Sequence, residues 1–259
     1  MTILAAVVSY AVPGVLPHTP LDVRAHDEKY LPPSPSAWLG SDHLGRDEFS
    51  RIIVGSQISI YVGLLSVGIG VTLGTVIGII SAYLGGVVDL AIQRIVDAMM
   101  AFPPIILALA LVAAVGGSAN NIIVALVVIL LPGTIRVIRS QVLSIKELDY
   151  TLAATAIGAG SARIMLRHIL PNVIASYIVL GTITLGFAII IEASLSFLGV
   201  GVPPDIPTWG TMLTQGARDI RIAWWLAAFP GIAITVVVFA INFFGDALRD
   251  VLDPRLRGR

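Results

Sequence analysis

KELDYTLAATAIGAGSARIMLRHILP, residues 146–171, is the longest polar interruption between the strongly apolar segments that follow residue 51. With the two arginines just upstream it gathers five of the sixteen Lys and Arg residues (Arg136, Arg139, Lys146, Arg163, Arg167). A chain that had only to turn round between two membrane spans could close this gap with a short turn. Instead the stretch is long and rich in helix-forming Ala and Leu, with Gly158 near its middle and Leu170-Pro171 at its end. Its pattern predicts a short helix over 150–157, ended by Gly158 as suits a helix C-terminus. A second segment over 162–169 carries Arg163, Arg167 and His168 and stops at Pro171. Such a helix–glycine–helix element can plug into a groove on a partner through apolar anchors at helical spacing; Leu148, Leu152 and Ile157 are the candidates. The competing reading is an amphipathic helix that touches lipid headgroups alone.

Composition supplies the setting. The chain has 259 residues, 56% hydrophobic and 12% charged, with a mean hydropathy of +0.92. Soluble domains carry about 25% charged residues, so this is an all-α integral membrane protein with about six transmembrane helices. The net charge is zero, which leaves no basic surplus for nucleic acid. Cysteine is absent, which excludes disulfides and thiolate metal sites, and no metal ligand set or cofactor motif is expected. The two lysines, Lys29 and Lys146, are followed by Tyr30 and Glu147, so no phosphate-binding GK[ST] loop exists. Neither GxSxG nor HExxH occurs. The chain therefore has no phosphate-binding loop with which to hydrolyse ATP, and it reads as a membrane component and not as an enzyme.

The chain divides as follows. Residues 1–16 are apolar but short for a span, which needs roughly 20 residues, and read as a first transmembrane helix. Residues 17–50 are a proline-rich extracytoplasmic loop in which His18, His26 and His43 lack ligand-like spacing. Residues 51–245 are the transmembrane core, with spans expected over 52–84, 87–115, 122–138, 171–198 and 223–244. Residues 139–170 form a cytoplasmic loop within that core, and 246–259 a cytoplasmic tail. In the second span Ser66, Gly70, Gly74, Gly78 and Ala82 fall four apart. That stripe is a helix-packing face, because small residues let another helix approach closely in lipid. The third span carries Asp89, Arg94 and Asp97, with Arg94 and Asp97 on one face, and Phe102-Pro103-Pro104 kinks or breaks it. Asp97 and Glu192 are candidates for the translocation path or its gating, since ionisable groups inside a membrane mark function by default; a paired or interfacial structural role is the alternative for both.

Orientation follows from charge. With termini and the 139–170 loop cytoplasmic, ten of the Lys and Arg residues lie inside and six outside, as the positive-inside rule prefers. All four tryptophans (Trp38, Trp209, Trp224, Trp225) then fall toward the other side, where aromatic residues can anchor at the interface.

The pattern Leu152-Ala153-Ala154, then Gly158, then Leu170-Pro171 thirteen residues further on, resembles the EAA loop of ABC-importer permeases. LGSDHLGRDEFSR at 39–51, RHILPN at 167–172, EASLSFLGVG at 192–201, TWGTML at 208–213 and FGDALRDVLDPRLR at 244–257 resemble the C-type subunit of dipeptide, oligopeptide and nickel permeases, in family order. The resemblance implies a multi-pass inner-membrane subunit that pairs with a second permease subunit as a heterodimer. It implies two ATP-binding subunits that grip the coupling loops and an extracytoplasmic substrate-binding protein that delivers cargo. Leu148, Leu152, Ala153, Ala154, Gly158, Arg163, Leu170 and Pro171 would then couple to the ATP-binding subunit. Leu152 stands where the family has Glu, which implies an apolar contact or a different partner. The family's usual tail before the first span is missing, which reads as a shortened chain or a mis-set start. Di- and oligopeptides are the expected cargo, with nickel or another small solute as the alternative. A stand-alone secondary transporter or channel is the alternative of another class, and it leaves the basic inner loop unexplained.

Overall fold

A computed structural model describes residues 28–203 and 205–252. The span expected over 1–16, His18, His26 and the end of the tail lie outside those residues. Eight helices follow one another: α1 (Glu48–Leu84), α2 (Gly86–Met100), α3 (Pro104–Val115), α4 (Ala119–Lys146), α5 (Asp149–Ala156), α6 (Ser161–Phe197), α7 (Trp209–Arg218) and α8 (Trp225–Leu252). No strand forms among the described residues beyond two isolated bridges, Ser34 with Ala37 and Ser41 with Asp47. Among the described residues four helices (α1, α4, α6, α8) are long and apolar enough to cross a membrane, and the bent pair α2–α3 makes a fifth if counted as one span.

The bundle is organised by α1. Asp47 caps it, its carboxylate accepting from the Ser50 N–H at 2.8 Å and the Ser50 hydroxyl at 2.7 Å. Thirty-seven residues at about 1.5 Å each outrun a ~30 Å hydrocarbon core. The small-residue stripe of α1 lies against α4. A Cβ added at Gly70 would stand 3.2 Å from the Leu130 Cβ, at Gly74 2.7 Å from the Thr134 Cβ, and at Gly78 3.0 Å from the Ile135 carbonyl. Glycine here buys backbone proximity, which dispersion rewards where lipid supplies no hydrophobic drive. Val62, Val71, Ile122, Leu126, Ala188 and Leu195 fill the space where α1, α4 and α6 meet.

Several boundaries differ from the sequence expectation, each for a physical reason. The 87–115 segment is broken, with α2 and α3 at 89° to one another. Proline keeps its preceding residue out of the α region, so two in succession end α2; Pro104 then sits in the first turn of α3, where its missing N–H costs nothing. Span four runs on past Pro132 to Lys146 instead of ending at 138. Its polar residues find partners on neighbouring helices: Arg139 pairs with Asp89, Arg136 with Asp97, and the Gln141 amide donates to the Ser176 hydroxyl at 2.6 Å. The intervening polar loop is correspondingly shorter than 139–170.

Span five begins at Ser161, and Pro171 does not stop the segment before it. A π turn, Met165–Ile169, joins the two, closed by the Leu170 N–H donating to the Met165 carbonyl. Ile164 and Ile169 are both fully buried. Five residues apart, they would stand about 140° apart on an α-helix; the wider turn brings them to one side, and it supplies the local adjustment that a proline in a membrane helix needs. The last helix continues through 246–252, which the sequence placed in the tail.

Residues 28–47, just before α1, are folded and not simply extended. Ser41 and Leu31 exchange backbone and hydroxyl hydrogen bonds, and Gly40 (φ 81) leaves no room for a Cβ beside Leu31 and Trp225. Two of the four tryptophans are core residues instead of interface anchors. Trp209 is fully buried and donates to the Ile52 carbonyl at 3.1 Å; Trp225 is buried and donates to the Ser41 carbonyl at 3.3 Å. Trp38 and Trp224 are exposed.

Candidate functional site

At one end of the bundle α5 lies under α1, α4 and α6. Eight residues make an isolated helix marginal in water, so its contacts must hold it. Thr151 and Ala154, three apart and on one face, are both buried. The Thr151 hydroxyl donates to the Ile145 carbonyl at the end of α4 at 3.0 Å, and Ala154 packs with Ile79, Ile138, Val142, Ile164 and Ile169. The helix ends in paired reverse bonds, Ala159 N–H to Ala154 carbonyl and Gly158 N–H to Thr155 carbonyl, both 3.0 Å. Gly158 sits at φ 81, the left-handed conformation that this ending requires. The Tyr150 ring approaches His168 of α6 with centroids 6.2 Å apart.

The outer side of α5 and its two ends are exposed among the described residues. Leu148 is 46% exposed, Leu152 49% and Ile157 85%. Ala153, Arg163 and Pro171 are exposed as well, whereas Leu170 is half-buried against the inner cluster and Ala154 is wholly inside it. The sequence-derived set therefore separates into an outward row (Leu148, Leu152, Ala153, Gly158, Arg163, Pro171) and two residues, Ala154 and Leu170, that hold the element to the bundle.

An ion-pair lattice joins α2 to α4 nearby. Asp89 accepts two bonds from Arg139, at 2.7 and 2.6 Å, and one from the Ser81 hydroxyl at 2.6 Å. Asp97 pairs with Arg136 and, at 3.9 Å, with Arg94. Asp97 is thus tied to α4 as well as to its own helix. Glu192 is fully buried in α6 and accepts from the Ser196 hydroxyl at 3.0 Å. The Ser59 hydroxyl of α1 stands beside it, outside hydrogen-bond geometry.

The other end contains a cluster that the sequence reading passed over. Asp42, Arg46, Asp47, Glu48 and Arg51 are all buried. Arg46 binds the Asp42 carboxylate at 2.7 Å, Arg51 approaches the same carboxylate at 3.5 Å, and the Arg51 guanidinium donates to Gln215 of α7 at 3.1 Å. The Asp42–Arg46 spacing and the glycines at 40 and 45 were visible in SDHLGRDEFSR; the burial of these charges was not, because isolated charged residues are almost never fully buried.

An eight-residue helix pinned by its inner face and apolar outside thus lies at the end of a bundle of long apolar helices. The comparisons with known proteins give the class of membrane protein. Residues 74–258 match the family described as binding-protein-dependent transport system inner membrane component. The chain belongs to this family, the permease subunits of ABC importers; these are not enzymes, and they work with ATP-binding and substrate-binding partners in a multi-pass inner-membrane assembly. Similar proteins include the glutathione transport system permease protein GsiD of Pectobacterium atrosepticum, 40% identical over 255 residues, covering 98% of this chain and 85% of the relative. GsiD of Escherichia coli O6:K15:H31 is 41% identical over 256 residues, 99% and 84%. A protein provisionally named as a peptide transport system permease in Brucella suis biovar 1 is 44% identical over 230 residues, 88% and 77%.

Proposed function

We propose that this chain forms one half of the translocation path of an importer of short peptides, and that α5 is the helix through which an ATP-binding subunit moves it. The observation that carries the reading is the two-faced character of α5: Thr151 and Ala154 buried, Leu148, Leu152 and Ile157 exposed. A fixed inner face transmits displacement to α4 and α6; an apolar outer face offers a groove the area it needs. Leu152, where related permeases carry Glu, makes that contact by apolar burial. The second half of the path is a related permease subunit, which makes the membrane unit a heterodimer, and each half engages one ATP-binding subunit. Arg163 and Pro171 flank the contact, and the end carrying α5, with both termini, faces the cytoplasm, as the ten-to-six distribution of Lys and Arg favours. A peptide cargo is supported by the names of the relatives, which transport glutathione and peptides.

The test is assembly. Leu152→Asp places a charge in the proposed apolar contact while leaving the buried face of α5 untouched. The variant is expected in the membrane at normal amount but without the ATP-binding subunits on affinity purification, and peptide uptake is lost. Uptake in the parent is expected to fall when ATP is depleted with the ion gradient held. Normal recovery of the ATP-binding subunits with the Asp variant would refute the role assigned to α5.

A further inference from the structure

The end opposite α5 holds a cavity of about 570 Å³, within the size range of small-ligand pockets. Its wall is assembled from three separated stretches: Tyr30 and His43 before α1, Ser196 at the end of α6, and Gln215, Arg218 and Asp219 at the end of α7. Tyr30 is held at φ 54, a conformation that bulky residues rarely adopt. Such positions persist where the surroundings over-determine them, and they cluster at ligand clamps. The restraint on Tyr30 can be traced. Its N–H donates to the Asp42 carbonyl at 3.1 Å, the next N–H donates to the Ser41 hydroxyl at 2.9 Å, and the Asp42 carboxylate is fixed by Arg46 and Arg51. Arg51 in turn holds Gln215 on the far wall. Buried ions thus brace both sides of one cavity.

The oppositely charged residues in its wall are Arg218 and Asp219, consecutive at the C-terminal end of α7. Burial, and then the Asp219 charge, hold the Tyr30 hydroxyl above the usual phenol range, so it remains a neutral donor beside that carboxylate. One positive and one negative residue in the wall offset each other. A solute of single sign gains from one group and loses to the other, whereas a molecule carrying both an ammonium and a carboxylate satisfies both. We propose that this cavity binds a short zwitterionic peptide, with Asp219 taking the ammonium and Arg218 the carboxylate. The choice of ligand rests on the peptide-import reading above; the charge complementarity does not.

The experiment uses the assembled transporter in lipid nanodiscs without its binding protein, titrated by saturation-transfer NMR with alanyl-alanine, N-acetyl-alanyl-alanine and alanyl-alanine amide. The zwitterion is expected to bind, and each cap to weaken binding about tenfold, the size of one lost charged hydrogen bond. Asp219→Asn should abolish the penalty for N-acetylation and keep that for the amide; Arg218→Gln should do the reverse. Arg218 is exposed and Asp219 half-exposed, so both variants should fold. No binding of alanyl-alanine, equal binding of the three peptides, or the same selectivity in both variants overturns the proposal. Uptake of alanyl-alanine by the assembly with its binding protein separates the two readings. Uptake without capping selectivity in the nanodisc overturns the cavity alone, and absence of peptide uptake overturns the peptide reading.

Discussion

The two ends of this bundle are held by opposite means. Around Asp42 and Arg51 the chain is locked by buried ions, indole N–H bonds from Trp209 and Trp225, and a glycine with no space for a side chain. Around α5 the grip is light: one hydroxyl bond from Thr151, one buried methyl from Ala154, and a left-handed glycine with open space around its Cβ position. The first arrangement resists any displacement, since moving one member strands a buried charge. The second has no buried ion to strand, and under the coupling proposed above its outer face is completed by an ATP-binding subunit. Under that proposal the subunit stays anchored at one end and is pulled at the other, which this asymmetry suits.

Substitutions can break the contrast, and the largest effect is expected at the locked end. Arg51→Ala removes one partner of a buried ion pair, a class of change that costs about 3–5 kcal/mol. The variant should fail to accumulate in the membrane, which immunoblotting of fractionated cells would read out; normal accumulation would show that the cluster is not a lock. Next comes the seam between the two ends. Gly74→Val drives a side chain into Thr134, and overpacking of this kind costs about 1–3 kcal/mol. Its detergent-solubilised melting temperature should fall below that of Gly68→Val, where a Cβ meets nothing within 4 Å.

Smaller effects belong to the α5 end. Gly158→Val forces a β-branched residue into the left-handed region at a cost of about 1–3 kcal/mol, confined to an exposed turn. Gly158→Asn, which visits that region more readily, should retain most assembly with the ATP-binding subunits, whereas Val loses it. Equal behaviour of the two variants would remove backbone conformation as the reason for the glycine. Leu152→Asp is the smallest in stability, within about 0.5 kcal/mol as for other surface positions, yet it should abolish assembly. If its melting temperature drops as far as that of Gly74→Val, the outer face of α5 is structural and the contrast between the ends collapses.

Much of the fold could be read from residues alone, because hydropathy and small-residue spacing are direct expressions of the membrane environment. The Ser66-to-Ala82 stripe is an example, as its period of four carries its own geometry. What escaped reading was polar satisfaction at a distance. Arg139 and Gln141 look like loop residues until Asp89 and Ser176 are brought beside them. Pro171 looks like a stop until a π turn is seen to carry the helix through it. Within the candidate site, Leu148 and Leu152 were legible as an apolar row, but Ala154 reads the same as Ala153 in sequence and faces the other way in space. The cluster at 42–51 was recognisable as a motif and opaque as chemistry, since nothing local in it announces Gln215 as its partner.

The turn Met165–Ile169 also sets a rule about length. It holds one residue more than an α-helical turn, and α6 is otherwise continuous from Ser161 to Phe197. Deleting one residue within it would close the turn to α geometry and leave the two flanks in nearly the same phase, because four residues at about 100° each then do what five do in the wider turn. Deleting one residue further on, in the regular stretch between Leu170 and Phe197, would instead swing everything on its N-terminal side, α5 included, by about 100° around the axis of α6. The turn thus tolerates a change of length, and the regular helix beyond it acts as the rotary dial on the outward row of Leu148 and Leu152.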